Sequence, residues 1–172
     1  PYKMNDVLYF SYLDEEIGGI NGMAKFVKTE DFKKLKVGFS LDEGLANPGE
    51  EFIVFNGERS LEQWASEAGE GVTVEFIQKH TRVDATAIDE SNVYWVAFKS
   101  AADKLNMKMK TRIFPGGTDS HYIRELGIPA LGFSPMNHTP IQLHEHNESL
   151  SAETFLKGID IYTSLIPALA NA

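Results

Sequence analysis

The feature that most constrains the fold of this 172-residue chain is a repeated alternation of short apolar segments with helical patterns. The short segments are rich in β-forming residues and predict strands at residues 7–13, 36–41, 51–56, 72–78, 108–114 and 130–133. Helical patterns lie between them, ending near residue 28 and covering residues 62–68, 91–105 and 118–126. This order predicts an α/β fold with a mainly parallel central sheet and helices on both of its faces.

Two helices are expected to pack against the sheet through apolar stripes at spacings of three and four residues. In the segment 91–105 the stripe consists of Tyr94/Trp95, Phe98, Ala101/Ala102 and Leu105. A final helix is expected to begin after Ser151, whose hydroxyl suits an N-cap. Its stripe consists of Phe155, Ile159, Tyr162, Ile166 and Leu169.

Composition narrows the classes of function. The formal net charge is −9, and acidic residues are spread over the whole chain, which argues against nucleic acid or an anionic membrane surface as a partner. No apolar run approaches the roughly 18 residues that a membrane-spanning helix needs. The chain has no cysteine, which excludes disulfides, thiol catalysis and thiolate zinc sites. This composition fits a reducing compartment, so we expect a cytoplasmic protein.

Acidic residues follow two of the predicted strands directly. Asp14-Glu15-Glu16 comes after the first strand, and Asp42-Glu43-Gly44 comes after the second. Ligands of α/β sheets bind outside the carboxyl ends of the strands, where these carboxylates would serve as metal ligands or as a general base. Each motif also has a plainer explanation, because carboxylates favour helix N-termini and Asp and Gly favour turns. For Asp14-Glu15-Glu16 the residues alone leave both interpretations open, whereas Asp42-Glu43-Gly44 taken alone favours a turn.

Two later loops carry groups of similar interest. His144-Glu145-His146-Asn147-Glu148 combines imidazoles, which bind zinc, with carboxylates that orient them. A solvated loop is the alternative, and we favour it for His146. The loop at residues 115–120, PGGTDS, offers backbone N–H groups at a helix start, which suits a carboxylate or a developing oxyanion.

Taken together, these motifs resemble the aminoacylases, which are N-acyl-L-amino-acid amidohydrolases of a dizinc peptidase family that also contains succinyl-diaminopimelate desuccinylase. The resemblance covers nearly the whole chain in the same order and implies zinc-dependent hydrolysis of N-acyl-L-amino acids to a carboxylate and a free L-amino acid. The segments that carry it are DEEIGGINGM, FSLDEGLANP, GEGVTVEFIQK, GGTDSHYIRELGIPALGFSPMNHTPIQLHEHNE and FLKGIDIYTSLIPAL.

The resemblance also implies roles for individual residues. Glu15, the first Glu of DEE, matches the family's general base. Glu16 matches a ligand of one zinc ion, and His144 matches its partner on that ion. Glu43 matches a ligand of the other zinc ion.

The GGTD loop, represented by Gly117 and Thr118, matches a segment that lines the substrate pocket. His146 matches no ligand, in agreement with a solvated loop. A related dipeptidase or desuccinylase is the nearest alternative function, since these enzymes share the same metal residues. A catalytically inactive isoform or fragment of the same fold is the alternative of another class.

Two departures from the family pattern bear on activity. The family's HxDVVP-type motif and a later aspartate, which supply a zinc-binding His and a bridging carboxylate, are absent ahead of the DEE segment. The family's lid and dimerisation domain follows the ERS segment, but here Arg59-Ser60 continues directly into Leu61-Glu62. This junction resembles a deletion, and a natural short turn is the alternative that the sequence leaves open. We therefore expect residues 1–172 to form one zinc-binding catalytic domain that lacks its N-terminal part and a lid at the 60/61 junction. We expect at most a partial zinc site, no activity from the chain alone, and a homodimer formed through the lid in the intact enzyme.

Overall fold

The computed structural model describes residues 6–11, 14–59, 65, 67–73 and 82–172. A short 3₁₀ turn, Glu15–Ile17, is followed by helices α1 (Met23–Phe26) and α2 (Glu30–Leu35). Strands β1 (Ser40–Asp42) and β2 (Phe52–Glu58) come next. The remaining elements alternate: α3 (Val93–Lys104), β3 (Met109–Phe114), α4 (Ser120–Glu125), β4 (Ala130–Phe133) and α5 (Ala152–Ala170).

These four strands form one sheet in the order β1-β4-β2-β3. β1 pairs with β4 in parallel, and β2 pairs with β3 in parallel. β2 and β4 run antiparallel and pair only at Val54–Phe133 and Phe55–Gly132. The predicted α/β class with a mostly parallel sheet is confirmed, and the antiparallel pair is the feature that the strand pattern did not predict.

Strand β4 separates two apolar cores, because successive residues of a strand point to opposite faces of the sheet. Leu131 and Phe133 pack with buried residues of α3 and α5. Ala130 packs instead with buried residues from the α1, α2 and α4 region. Helices therefore cover both faces of the sheet, as expected.

Helix α3 presents most of the predicted face to the core, although Leu105 follows the helix and is exposed. Its buried residues are Trp95, Phe98, Ala101 and Ala102. The Asn92 side chain caps the helix by accepting hydrogen bonds from the backbone N–H groups of Tyr94 and Trp95.

Helix α5 begins as predicted, but its buried face differs from the predicted stripe. The Ser151 hydroxyl accepts a hydrogen bond from Thr154 N at 3.0 Å. Phe155 and Ile159 are exposed. The buried residues are Gly158, Ile161, Leu165, Leu169 and Ala170. Apolar residues surround most of this helix, so spacing alone did not select the face that packs against the sheet.

Residues 7–11 do not form the predicted strand. Val7, Leu8 and Tyr9 are exposed, and no described strand pairs with this segment. β-forming residues build a strand only where a neighbouring strand supplies hydrogen-bond partners, which local sequence does not specify. Residues 12 and 13 lie outside the described residues.

The other differences concern element boundaries. The strand predicted at 36–41 is reduced to β1, and α2 was not predicted. The helix predicted at 62–68 and the strand predicted at 72–78 lie largely outside the described residues. Among the helices that are described, none combines the length and apolar character needed to cross a membrane.

Candidate active site

The turn that carries Glu15 and Glu16 is held by the acidic residue before it. The Asp14 carboxylate accepts hydrogen bonds from the backbone N–H groups of Asn21 and Gly22, at 2.7 and 2.9 Å. Asp14 thus closes the glycine-containing loop onto the start of the 3₁₀ turn. The Asp14 carboxylate therefore fixes the backbone of this loop. The carboxylates of Glu15 and Glu16 take no part in these two hydrogen bonds.

The same turn packs closely on α4. The Tyr122 hydroxyl donates a hydrogen bond to Gly18 O at 2.6 Å. Gly19 has a φ of +63°, and a Cβ atom at this position would lie 2.5 Å from Asp119 Oδ1. Only glycine permits both this backbone conformation and this close approach. The turn is thereby placed against the loop that precedes α4.

Glu15 lies near Glu43, close enough for the charge of each carboxylate to act on the other. Desolvation, followed by the negative charge of Asp119, raises the pKa of Glu15. Partial burial of the carboxyl, and then the charge of Glu15, raises the pKa of Glu43 to about 7, although Glu43 as a whole residue is exposed. Neighbouring like charges disfavour ionisation of both groups, so the pair favours either a shared proton or a bound cation.

Glu16 meets His144 on the surface beside this pair. His144 Nε2 lies 2.9 Å from Glu16 Oε2, and the two side chains are 68% and 71% exposed. The resemblance assigns these two residues to the same zinc ion. The structure therefore brings Glu15 to Glu43 and Glu16 to His144, with Glu15 and Glu16 adjacent in the chain.

Two residues of the LDEG segment at the end of β1, Asp42 and Gly44, have structural roles. Asp42 Oδ2 accepts hydrogen bonds from Ser120 N at 2.9 Å and from Ser120 Oγ at 2.7 Å. Asp42 Oδ1 accepts a hydrogen bond from Glu43 N at 3.0 Å. A Cβ atom on Gly44 would lie 2.6 Å from Ser134 N. Asp42 thus ties β1 to α4, and Gly44 allows the chain to pass close to the end of β4.

The loop before α4 places Gly117 and Thr118 differently. Gly117 is exposed, and a Cβ atom there would meet no atom within 4 Å. The Thr118 hydroxyl donates a hydrogen bond to Glu58 Oε1 at 2.9 Å and accepts one from Ser120 N at 3.3 Å. The hydroxyl of Thr118 is therefore engaged within the protein, whereas the backbone at Gly117 is open to a ligand.

Sequence reasoning missed two acidic residues of this region, Glu58 and Asp119. Burial, followed by the charges of Asp42, Asp14 and Glu43, raises the pKa of Asp119 to about 6. Glu58 is the last residue of β2, so the rule that sites form at strand ends was sufficient to nominate it. Asp119 lies inside the noted GGTDS motif but received no role.

The carboxylate of Glu58 is paired with the buried guanidinium of Arg124. Arg124 Nη1 lies 3.0 Å from Glu58 Oε1, with the two side chains 5% and 12% exposed. His121 Nδ1 lies 3.8 Å from the other oxygen, Glu58 Oε2. Burial raises the pKa of Glu58, while Arg124 and Thr118 oppose that rise.

The donor set fits a zinc site by its chemistry. Carboxylates and imidazole are zinc ligands, and a divalent cation would relieve the repulsion that contributes to the raised pKa values of Glu15 and Glu43. Glu16 with His144, and Glu43 beside Glu15, are the side chains of this region with suitable donor atoms. Within the described ranges, no three His, Asp or Glu side chains already stand in a metal-binding arrangement.

The chain is similar to proteins of a known peptidase family. A model of peptidase family M20/M25/M40 matches residues 3–168. Aminoacylase-1 from Mus musculus is 35% identical over 255 aligned positions, covering 92% of this chain and 62% of the mouse protein. Aminoacylase-1 from Homo sapiens is 32% identical with the same coverage. Aminoacylase-1 from Dictyostelium discoideum is 29% identical over 279 positions, covering 98% of this chain and 68% of that protein.

The extent of these matches shows how much of the relatives this chain represents. The match spans 62% of the length of the mouse and human proteins. It extends over 255 aligned positions, more than the 172 residues of the chain, so part of each relative within the match has no counterpart here.

Proposed function

Because this chain belongs to peptidase family M20/M25/M40, we propose that it supplies catalytic residues for the hydrolysis of N-acyl-L-amino acids to a carboxylate and a free L-amino acid. The observation that carries the proposal is the Glu16–His144 pair at 2.9 Å, which directly follows Glu15 in the chain and lies near Glu43. A general base is thereby adjacent to two sets of candidate metal ligands. The matched relatives cited above are all aminoacylases, which favours this substrate class over dipeptides.

Glu16 and His144 are proposed to hold one zinc ion, and Glu43 to contribute to a second. Zinc, when bound, supplies Lewis acidity that polarises an acyl carbonyl and lowers the pKa of a water molecule. The Glu15 carboxylate accepts the proton of the attacking water and then delivers it to the departing amide nitrogen. Desolvation is the first cause of the raised pKa of Glu15, and a higher pKa makes a carboxylate a stronger base.

Gly117 and Thr118 are proposed to line the substrate pocket. The open space beside Gly117 supports contact between its backbone and the substrate. The engagement of Thr118 with Glu58 supports a role in shaping the pocket wall rather than in donating its hydroxyl proton to the substrate.

We further propose that residues 1–172 form one catalytic domain and that a lid domain is missing at the 60/61 junction. The excess of aligned positions over chain residues supports this reading. Pairing of two copies through such a lid, and a cytoplasmic location, belong to the same proposal.

The experiment compares two proteins with N-acetyl-L-methionine as substrate. The first is the 172-residue chain with added zinc. The second is a chimera in which mouse aminoacylase-1 supplies the parts ahead of residue 1 and between residues 60 and 61. We expect no measurable turnover from the chain and turnover from the chimera that a zinc chelator abolishes.

Two outcomes would count against the proposal. Turnover by the chain alone would count against the proposed missing lid, while supporting the proposed substrate class. A folded, zinc-loaded chimera that cleaves a dipeptide or an N-succinyl amino acid, but not N-acetyl-L-methionine, would assign the site to a related hydrolase.

A further inference from the structure

A buried hydrogen-bond network lies behind the site, where strands β2 and β4 separate. Their antiparallel pairing stops after Phe55–Gly132, and the register of β2 shifts between Phe55 and Gly57. Beyond this point Ala130 in β4 has no strand partner on the β2 side among the described residues. Its backbone is instead satisfied by a side chain.

Thr86 occupies the gap between the two strands. Its backbone N–H donates to Asn56 O at 2.6 Å, and Asn56 Nδ2 donates to Thr86 O at 3.0 Å. Its hydroxyl donates to Ala130 O at 2.7 Å and accepts from Ala130 N at 3.0 Å. A single buried threonine therefore replaces the missing strand contact, with its backbone bound to β2 and its hydroxyl bound to β4.

Arg124 extends this network toward the site. Its Nε lies 3.3 Å from Thr86 Oγ1 and 3.2 Å from Ala130 O, and its Nη2 lies 3.0 Å from Ala130 O. Its remaining nitrogen, Nη1, donates to Glu58 Oε1. Two nitrogens of the guanidinium are thus bound to Thr86 and Ala130, and the third is bound to Glu58.

The network reaches the candidate site through continuous hydrogen bonds. The Glu58 carboxylate accepts a hydrogen bond from the Thr118 hydroxyl, and that hydroxyl accepts a hydrogen bond from the backbone N–H of Ser120. Ser120 in turn donates to Asp42, which accepts the backbone N–H of Glu43. Thr86 and Arg124 are therefore connected by hydrogen bonds both to the proposed pocket residue Thr118 and to the backbone of the proposed zinc ligand Glu43.

The buried Arg124–Glu58 pair is weak evidence for a role in stability. Burying an ion pair such as Arg124–Glu58 costs desolvation free energy that its attraction only partly returns, so apolar residues of similar volume would serve stability as well or better. Such a pair fixes direction, because each of its atoms must meet a specific partner.

We propose that Thr86 and Arg124 are positioning residues of the site, which act through Glu58 to hold Thr118 and Glu43 in place. This inference rests on the proposed function for the meaning of the site, but the positions themselves can be tested without activity. Partners that orient metal ligands from outside typically change metal affinity by 10- to 100-fold when removed. Since Thr86 acts through several side chains, we expect an effect near 10-fold.

The test uses Thr86→Val, which removes the hydroxyl at nearly constant volume, and Thr86→Ser, which keeps the hydroxyl. Thr139→Val is the matched control, because Thr139 is also buried and its hydroxyl donates only to Asn137 O at 3.0 Å, outside this network. Amide hydrogen exchange is measured at residues 42–44 and 116–120 of the chain. Zinc affinity is measured by chelator competition.

We expect Thr86→Val to accelerate exchange in both segments and to weaken zinc binding about 10-fold, with Thr86→Ser close to the native chain. The proposal is overturned if Thr86→Val leaves both segments unchanged, or if Thr139→Val accelerates them equally. Should Thr86→Val fail to fold, Arg124→Lys replaces it, since lysine keeps the charge but cannot bind Ala130 O and Glu58 together. A native chain without zinc affinity would contradict the proposed metal site, and the exchange data would still decide the positioning role.

Discussion

His144 Nε2 lies 2.9 Å from Glu16 Oε2, although 128 residues separate them in sequence. His144 has a φ of +61°, a left-handed conformation that costs a non-glycine residue roughly 1–2 kcal/mol. The loop before α5 thus carries backbone strain at the residue that meets Glu16. Strain of this kind is commonly found at functional sites, where the surrounding structure maintains it.

The adjacent residues Glu15 and Glu16 are expected to fail differently when changed to Gln. Glu16→Gln removes a charged ligand beside His144, so zinc affinity and activity should fall together. Glu15→Gln retains the shape but removes the base, so zinc should remain bound while kcat falls by roughly 100-fold or more. Zinc content by elemental analysis and kcat of the chimera check both variants.

A reversed pattern, with zinc lost in Glu15→Gln and retained in Glu16→Gln, would exchange the two roles. Full zinc content and activity in both variants would reduce the acidic triplet to a helix start.

The pKa values of Glu43 and Asp119 predict that the metal-free chain loses stability as pH rises. Burial and neighbouring carboxylates raise these pKa values to about 7 and about 6, above the ordinary values of 4.5 and 3.8. The folded state therefore binds more protons than the unfolded state, and this contribution is lost as pH rises through about 6 to 7. We expect the thermal midpoint to fall between pH 5 and pH 8, and added zinc to reduce the fall.

Circular dichroism at several pH values checks this prediction, with Glu43→Gln as the variant that should show a smaller dependence. A midpoint that rises over the same range without zinc would contradict the raised pKa values.

Gly44→Ala should destabilise the chain, whereas Gly117→Ala should not. The added Cβ atom lies 2.6 Å from Ser134 N at position 44 but meets no atom within 4 Å at position 117. Overpacking of this kind typically costs 1–3 kcal/mol, so we expect a loss in the free energy of unfolding of about that size for Gly44→Ala. Urea denaturation of the two variants measures it, and equal stabilities would refute the close approach of Gly44 to β4.

Tyr122→Phe should loosen the turn that carries the two glutamates. The lost hydrogen bond joins the Tyr122 hydroxyl to Gly18 O, and its removal should cost about 1 kcal/mol in unfolding free energy. Because the turn sets the position of Glu16, zinc affinity should fall as well. Tyr162→Phe is the control, since its hydroxyl donates to Phe133 O on the opposite core. Equal zinc affinity in both variants would separate Tyr122 from the site.

Local sequence was sufficient for elements whose stability is set by their own residues and nearest partners. The Ser151 cap of α5, the Asn92-capped helix α3 and strand β4 at residues 130–133 agree with their patterns. The chemistry of the motifs, acidic after one strand and imidazole-bearing before the last helix, was visible in the same way. The chemical character of a motif can be recognised from the order of its residues alone.

Tertiary structure decided what depends on neighbours distant in the chain. Packing on the sheet determines which face of α5 is buried. Residues 7–11 are exposed and pair with none of the four strands in the described part of the chain. Three roles depend on partners that only the fold brings together. Asp14 accepts backbone hydrogen bonds within its own loop, Asp42 binds the start of α4, and Thr86 joins β2 to β4. Hydrogen bonds and pKa shifts depend on distance and desolvation, and only the folded chain sets these quantities.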